Sequence, residues 1–266
     1  MSNDHAPAAH PYHLVNPSPW PLMGAVAAFV TAYGAVTYFH DRHNPWILLA
    51  GFVLVLATMA LWWRDVIHEA QVEHVHTEVV RHGLRVGMVL FIASEVMFFA
   101  AFFWAFFNAA IGVNPSVTEW PPHGIQPMHT WSIPFINTLI LLSSGYAVHR
   151  AELGLKVGHR NMLKLGLAIG IVLGVTFLSL QIYEYGEAAF GFTQGVYPTV
   201  FYMATGFHGF HVFVGVCFLT VCLLRALRGD FTPQQHVGFN AAAWYWHFVD
   251  VVWLFLFTWV YWWGNS

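Results

Sequence analysis

The stretch that most constrains this chain is Phe91–Asn108, FIASEVMFFAAFFWAFFN. It is apolar and aromatic almost throughout, and it approaches the length of about 20 residues that a spanning helix needs. One carboxyl group interrupts it, Glu95. An ionised carboxylate at that depth costs on the order of a few kcal/mol even on lenient insertion scales. Glu95 must therefore stay protonated or face a polar partner or water. That makes it the first candidate functional residue, with a role tied to protons.

The rest of the chain repeats the pattern. Of its 266 residues, 58% are hydrophobic and 9% charged, whereas a soluble domain is about one quarter charged. The alternating ten-residue strands of a membrane barrel are not present in the sequence. The expected class is an all-α polytopic membrane protein. A formal net charge of −3 with no basic tract removes nucleic acid as a partner. Cys217 and Cys222 are five apart in one apolar run, on different helix faces, and read as small apolar residues. The N-terminus carries Asp4, prolines and no Lys or Arg, which does not read as a signal peptide.

Residues 1–19 are polar, rich in His and Pro, and read as a solvated arm carrying His5, His10 and His13. Seven apolar runs follow: Trp20–Phe39, Pro45–Trp63, Gly83–Ala110, Trp131–His149, Met162–Tyr185, Tyr197–Leu227 and Phe239–Trp263. The expected organisation is an arm (1–19), a first pair of spans (20–64), a charged connection (65–82) and a five-span bundle (83–266). With seven spans, Arg64, Arg81, Arg85, Arg150, Lys156, Arg160, Lys164, Arg225 and Arg228 share the side of the N-terminus, and Arg42 lies opposite. The positive-inside rule then puts the N-terminus in the cytoplasm and the C-terminus outside. Gly166, Gly170 and Gly174 line one face of the fifth run, a spacing that admits a close neighbouring helix.

A chain with 17 histidines invites a haem or copper reading. His208, His211 and His247 fall clearly within spans, and His208 and His211 can share a face. Redox centres in helical oxidases need several His from several helices, and the sequence offers no such set. Interhelical hydrogen bonding is the expected role, and no metal of the chain's own is expected. Asp250 and His247, three apart, are placed to face each other within one helix. Glu69, Glu73, His74, His76 and Glu78 in the connection read first as a solvated cluster, with zinc binding or proton collection as the other readings. Trp62, Trp63 and Arg64 end the second run, and Arg225 and Arg228 end the sixth. Arg forks bind phosphate in bidentate fashion and Trp settles at the headgroup level. Phospholipid binding and simple snorkelling of the arginines are both open readings of these groups.

Six stretches, in order, resemble one family: YHLVNPSPWPL (12–22), WWRDVIHE (62–69), GLRVGMVLFIASEVMFFAAFFWAFF (83–107), EWPPHGI (119–125), TGFHGFHVFVG (205–215) and WYWHFVDVVWLFLF (244–257). The family is subunit III of cytochrome c oxidase. The resemblance implies seven helices in a 2+5 arrangement around a V-shaped, lipid-filled cleft. It implies headgroup contacts from Trp63, Arg64, His76 and Arg225. His68 falls where relatives can carry Arg. Glu95 matches the family's intramembrane glutamate. The subunit would carry no haem or copper, which would belong to partner subunits, and would lie beside catalytic subunit I, supporting proton uptake and protecting it from inactivation. Possession of all seven helices favours a cytochrome c over a quinol donor. The lack of a presequence suggests a bacterial plasma membrane. Two rival readings are a proton-coupled transporter using Glu95 with an Asp250–His247 relay, and a haem-carrying subunit.

Overall fold

The structure, a computed structural model, describes residues 12–41, 44–112 and 119–265. Seven α-helices occupy the described residues: α1 (Trp20–Asp41), α2 (Trp46–Gln71), α3 (Glu78–Ala110), α4 (Ile133–Lys156), α5 (Arg160–Glu187), α6 (Val196–Arg228) and α7 (Val237–Leu256). Each coincides with one expected apolar run. Several are longer than the run that announced them. α2 continues for two turns past Trp63, and α3 begins at Glu78, so only Val72–Thr77 of the connection is non-helical.

All of these helices except α4 are long and apolar enough to cross a membrane among the described residues. This helix carries Asn137, Thr138, Ser143, Ser144, His149, Arg150 and Glu152. Those groups lower its hydropathy. Three of them, Asn137, Thr138 and Ser144, are buried against protein.

The chain divides into two compact units, Met1–Leu84 and Arg85–Ser266. In the first, α1 and α2 pack against each other at glycines. A Cβ on Gly34 would sit 2.5 Å from the backbone nitrogen of Leu48, and one on Gly51 would sit 2.6 Å from Cα of Thr31. In lipid, where apolar burial gives helices no reason to associate, such close backbone approach is a main source of attraction. Trp20 Nε1 donates to Asp65 Oδ2 at 2.7 Å, fixing the start of α1 to the end of α2.

In the second unit the glycine face of α5 packs as the spacing foretold. A Cβ on Gly166 would meet the carbonyl oxygen of Ala147 at 2.6 Å, and one on Gly170 would meet Val148 Cγ2 at 2.8 Å, both on α4. Gly174 makes room instead for the ring of Trp246 on α7, 2.7 Å from where its Cβ would be. α7 is the most enclosed helix. Its Trp246 and Trp253 are fully buried and donate to α4 hydroxyls, Trp246 Nε1 to Ser144 Oγ at 3.0 Å and Trp253 Nε1 to Thr138 Oγ1 at 2.9 Å. The two tryptophans are seven apart and the two hydroxyls six apart, so both links lie along one antiparallel seam.

α3 is attached differently. Phe98/Phe99, Phe102/Phe103 and Phe106/Phe107 recur every four residues and form one helix face. Phe98 and Phe102 meet Phe207 at ring-centroid distances of 5.0 and 5.1 Å, Phe103 meets Phe255 at 4.4 Å, and Phe107 meets Trp259 at 5.3 Å. Edge-to-face and tilted pairs at these distances add to the attraction of plain contact. Beyond α7 the helix widens to five-residue hydrogen bonding over Phe257–Trp262. Its end is tied down by Asn265, whose Nδ2 donates to Met128 O at 2.6 Å and whose Oδ1 accepts from the Tyr197 hydroxyl at 3.0 Å.

Candidate functional site

Glu95 occupies the face of α3 turned to α6. Its Oε2 lies 2.9 Å from Nε2 of His211. The other ring nitrogen of His211, Nδ1, lies 2.7 Å from the carbonyl oxygen of Phe207. A carbonyl oxygen only accepts, so Nδ1 carries a proton and donates it. Nε2 then has two possible states. In a neutral ring it is an acceptor, and Glu95 donates a carboxyl proton to it. In a charged ring it donates to a carboxylate. Both states put one proton between the two side chains and leave the pair neutral overall. This resolves the cost of placing a carboxyl group in an apolar helix: the partner is an imidazole on the next helix.

The pair is enclosed mainly by aromatic rings. Phe99 stands edge-on 4.9 Å from the His211 ring, and Tyr245 stacks with it at 6.3 Å and 21°. The carboxyl side chain retains 20% exposure and the imidazole 9%. It is a semi-enclosed group able to hold a proton without net charge.

His208, three residues before His211, takes a different direction. It is fully buried, its Nε2 is 3.1 Å from Val249 O on α7, and its ring packs on Trp253 at 5.1 Å. The two histidines thus serve two different interhelical links, as expected. His247 and Asp250 face each other within α7, Nδ1 to Oδ2 at 3.4 Å. Glu95 is joined to His211 and not to this second pair, so the three groups imagined as a transporter relay are not assembled through direct contacts. Glu184, on α5, is completely buried.

The headgroup-level candidates also sort by geometry. Trp62 and Trp63 are exposed at 41% and 59%. Arg64 is exposed and lies 3.2 Å from Asp65. His68 reaches Glu73, Nδ1 to Oε1 at 3.3 Å, with both side chains open. Arg228 is exposed at the end of α6. Arg225 is not: its side chain is 17% exposed, its Nε faces Asp230 Oδ2 at 3.7 Å, and its guanidinium lies 4.6 Å over the Phe231 ring. Gly229 makes this possible. With φ +88 it takes the left-handed conformation that closes α6, and Asp230 N donates back to Arg225 O at 3.1 Å. The reversal brings Asp230 and Phe231 onto the arginine.

His76 is the least open of the candidates, with 12% side-chain exposure, and its Nε2 lies 3.9 Å from Glu69 Oε2. Burial holds its imidazole below the ordinary value of 6.5. Neighbouring His13 pushes the same way and Glu69 pulls against them. His13, Glu69 and His76 place one ligand-type atom each within 4.8 Å of one another. In the sequence His76 and Glu69 belong to the connection and His13 to the arm, and the fold brings the three together. His5 and His10 of the arm lie outside the described residues, as does Arg42, whose lone charge entered the orientation argument.

The signal that sequence reasoning missed is the Trp–hydroxyl seam between α4 and α7. Its trace in the sequence is two interior tryptophans at a heptad spacing, in WYWHFVDVVW, facing a run with Thr138 and Ser144.

Fold and site define a multi-span helical membrane protein that holds a carboxyl–imidazole pair inside its aromatic bundle. The family model described as cytochrome c oxidase subunit III matches residues 10–265. The chain is 51% identical to cytochrome c oxidase subunit 3 of Scyliorhinus canicula over 258 residues, 97% of this chain and 98% of that one. It is 50% identical to the subunit of the same name from Oryctolagus cuniculus, over 96% of this chain and 98% of the relative. The one from Marchantia polymorpha is also 50% identical, over 97% and 98%. This chain belongs to the cytochrome c oxidase subunit III family. It is accordingly a component of the oxidase complex, together with other oxidase subunits.

Proposed function

We propose that this chain acts within the oxidase as a non-catalytic, lipid-binding companion of subunit I that supports proton uptake and protects the catalytic subunit from inactivation. The observation that carries this reading is the Glu95–His211 pair, a carboxyl and an imidazole 2.9 Å apart on two apolar helices. Haem and copper, in this reading, belong to partner subunits. The side chains of His208 and His211 are already committed to Val249 O and Glu95, which supports that division.

Phospholipid headgroups are the proposed ligands of Trp62, Trp63, Arg64 and Arg228, whose exposed rings and guanidinium groups suit phosphate at the interface. His68 and His76 join them as donors when Glu73 and Glu69 do not hold them, and Arg225 joins as a charge steadied by Asp230. The 2+5 arrangement with a lipid-filled cleft belongs to the same reading. So does the bacterial plasma membrane with a cytoplasmic N-terminus and an outer C-terminus, which the distribution of Lys and Arg supports. The relatives named above come from animals and a plant.

The test is depletion of this chain from the purified complex. Electron transfer to the haems should persist, proton uptake should slow, and the number of turnovers before inactivation should fall. Immediate loss of haem reduction would overturn the reading. The isolated chain in vesicles should carry no proton flux, which separates the companion role from that of a transporter.

A further inference from the structure

The sharpest unassigned cluster is His13, Glu69 and His76. The three come from different parts of the first unit: the segment before α1, the last turn of α2 and the linker that leads to α3. Their ligand atoms converge within 4.8 Å. The linker is shaped for this. His74 adopts φ 53, a left-handed conformation uncommon for a side-chain-bearing residue. Val75 N donates to Glu69 O at 3.3 Å, returning the chain toward the end of α2. His76 is thereby delivered to Glu69, and its ring meets that of His13 at a centroid distance of 6.1 Å.

We propose that His13, Glu69 and His76 form a binding site for a divalent transition-metal ion of the zinc class. Two imidazoles and one carboxylate are a donor set that suits zinc, with an exchangeable water in the fourth position. Tetrahedral ligands on zinc stand about 3.4 Å apart, given metal–ligand bonds of about 2.0–2.2 Å. The Glu69–His76 separation of 3.9 Å is near that spacing already. The remaining contraction falls to His13, which lies outside the helices and can follow the ion. All three side chains are partly exposed, which leaves an entry path and room for the water. Such an ion would fasten the segment before α1 to the far end of α2, a link across more than fifty residues of sequence. The inference rests on this geometry and stands apart from the role proposed beside subunit I, except that an ion on His76 would withdraw that imidazole from the headgroup contact proposed for it.

The test uses the intact oxidase complex. After chelation and dialysis, wild type and the variants His13→Gln, His76→Gln and Glu73→Gln are loaded with Zn2+ and the metal is counted by mass spectrometry. Wild type and Glu73→Gln should retain one more zinc per complex than His13→Gln or His76→Gln. Zinc-edge absorption of the wild type minus His13→Gln difference should show imidazole scattering. His13→Gln alters no helix, so a loss of zinc with normal assembly cannot be assigned to misfolding. Equal zinc in all four proteins would overturn the proposal. So would a loss of phospholipid phosphorus, but not of zinc, in the two histidine variants, which would make the cluster a headgroup site.

Discussion

Glu95 on α3 and His211 on α6 meet across 2.9 Å, and the Phe207 carbonyl fixes the ring so that Nε2 is the nitrogen that faces the carboxyl group. Glu95→Gln should preserve the link, because an amide N–H donates to a neutral Nε2. Its thermal stability in detergent should stay within about 1 kcal/mol of wild type. Glu95→Ala leaves the imidazole nitrogen unpartnered and should cost about 1–3 kcal/mol. Infrared spectra decide which state the pair occupies: a carboxylic C=O band absent from Glu95→Gln marks the neutral pair, and a carboxylate band marks the charged one.

The glycine contacts give a contrast within one protein. Gly166→Val places carbon against a backbone carbonyl that cannot move aside, and overpacking of this kind costs about 1–3 kcal/mol. Gly87→Ala, on α3, meets nothing within 4 Å and should fall within about 0.5 kcal/mol of wild type. Thermal unfolding of both variants checks the pair of expectations. Equal effects would mean that α4 and α5 are not held by close approach.

What the sequence made legible follows from the range of each interaction. All seven helices were readable because an apolar run announces itself within its own length. The glycine face of α5 was readable because its period lies within one helix. Gly34 and Gly51 do the same work between α1 and α2, but they are single residues on two helices and make no pattern. His211 lies 116 residues from Glu95, and only the fold selects it over His208. The extra turns of α2 were hidden because hydropathy falls at Arg64 while the backbone stays helical to Gln71. Arg225 looked like Arg228 in the sequence, and the left-handed turn at Gly229 separates their environments.

That separation is testable. Arg64→Gln should lower the phospholipid phosphorus retained by the purified complex while leaving thermal stability nearly unchanged, because exposed ion pairs contribute little, about 0–1 kcal/mol. Arg225→Gln should act mainly on stability, since it strips Asp230 and the Phe231 ring of their cation. Phosphorus analysis and unfolding curves, measured on both variants, distinguish the two roles. Interchanged outcomes would make Arg225 the principal lipid contact and Arg64 the structural one.

The pH dependence of the linker between α2 and α3 follows from His76. Its imidazole is held below the ordinary value by burial, so the unfolded linker takes up a proton more readily than the folded one. The folded linker is therefore most stable above about pH 6.5, the ordinary imidazole value, and loses stability as pH falls through it. Amide exchange of residues 72–77, measured in chelator, should accelerate on acidification after correction for intrinsic rates. His76→Gln should flatten that dependence.

Phenylalanine rings set the stand-off of α3 from its neighbours, and this has a mechanical consequence. A ring is a stiff plate with two torsions, so it works as a shim where a glycine contact works as a hinge pin. Swapping Phe98 or Phe102 for leucine would change the gap as well as the contact with Phe207. The length of the Glu95–His211 bridge is thus gauged by the thickness of the aromatic packing on either side of it.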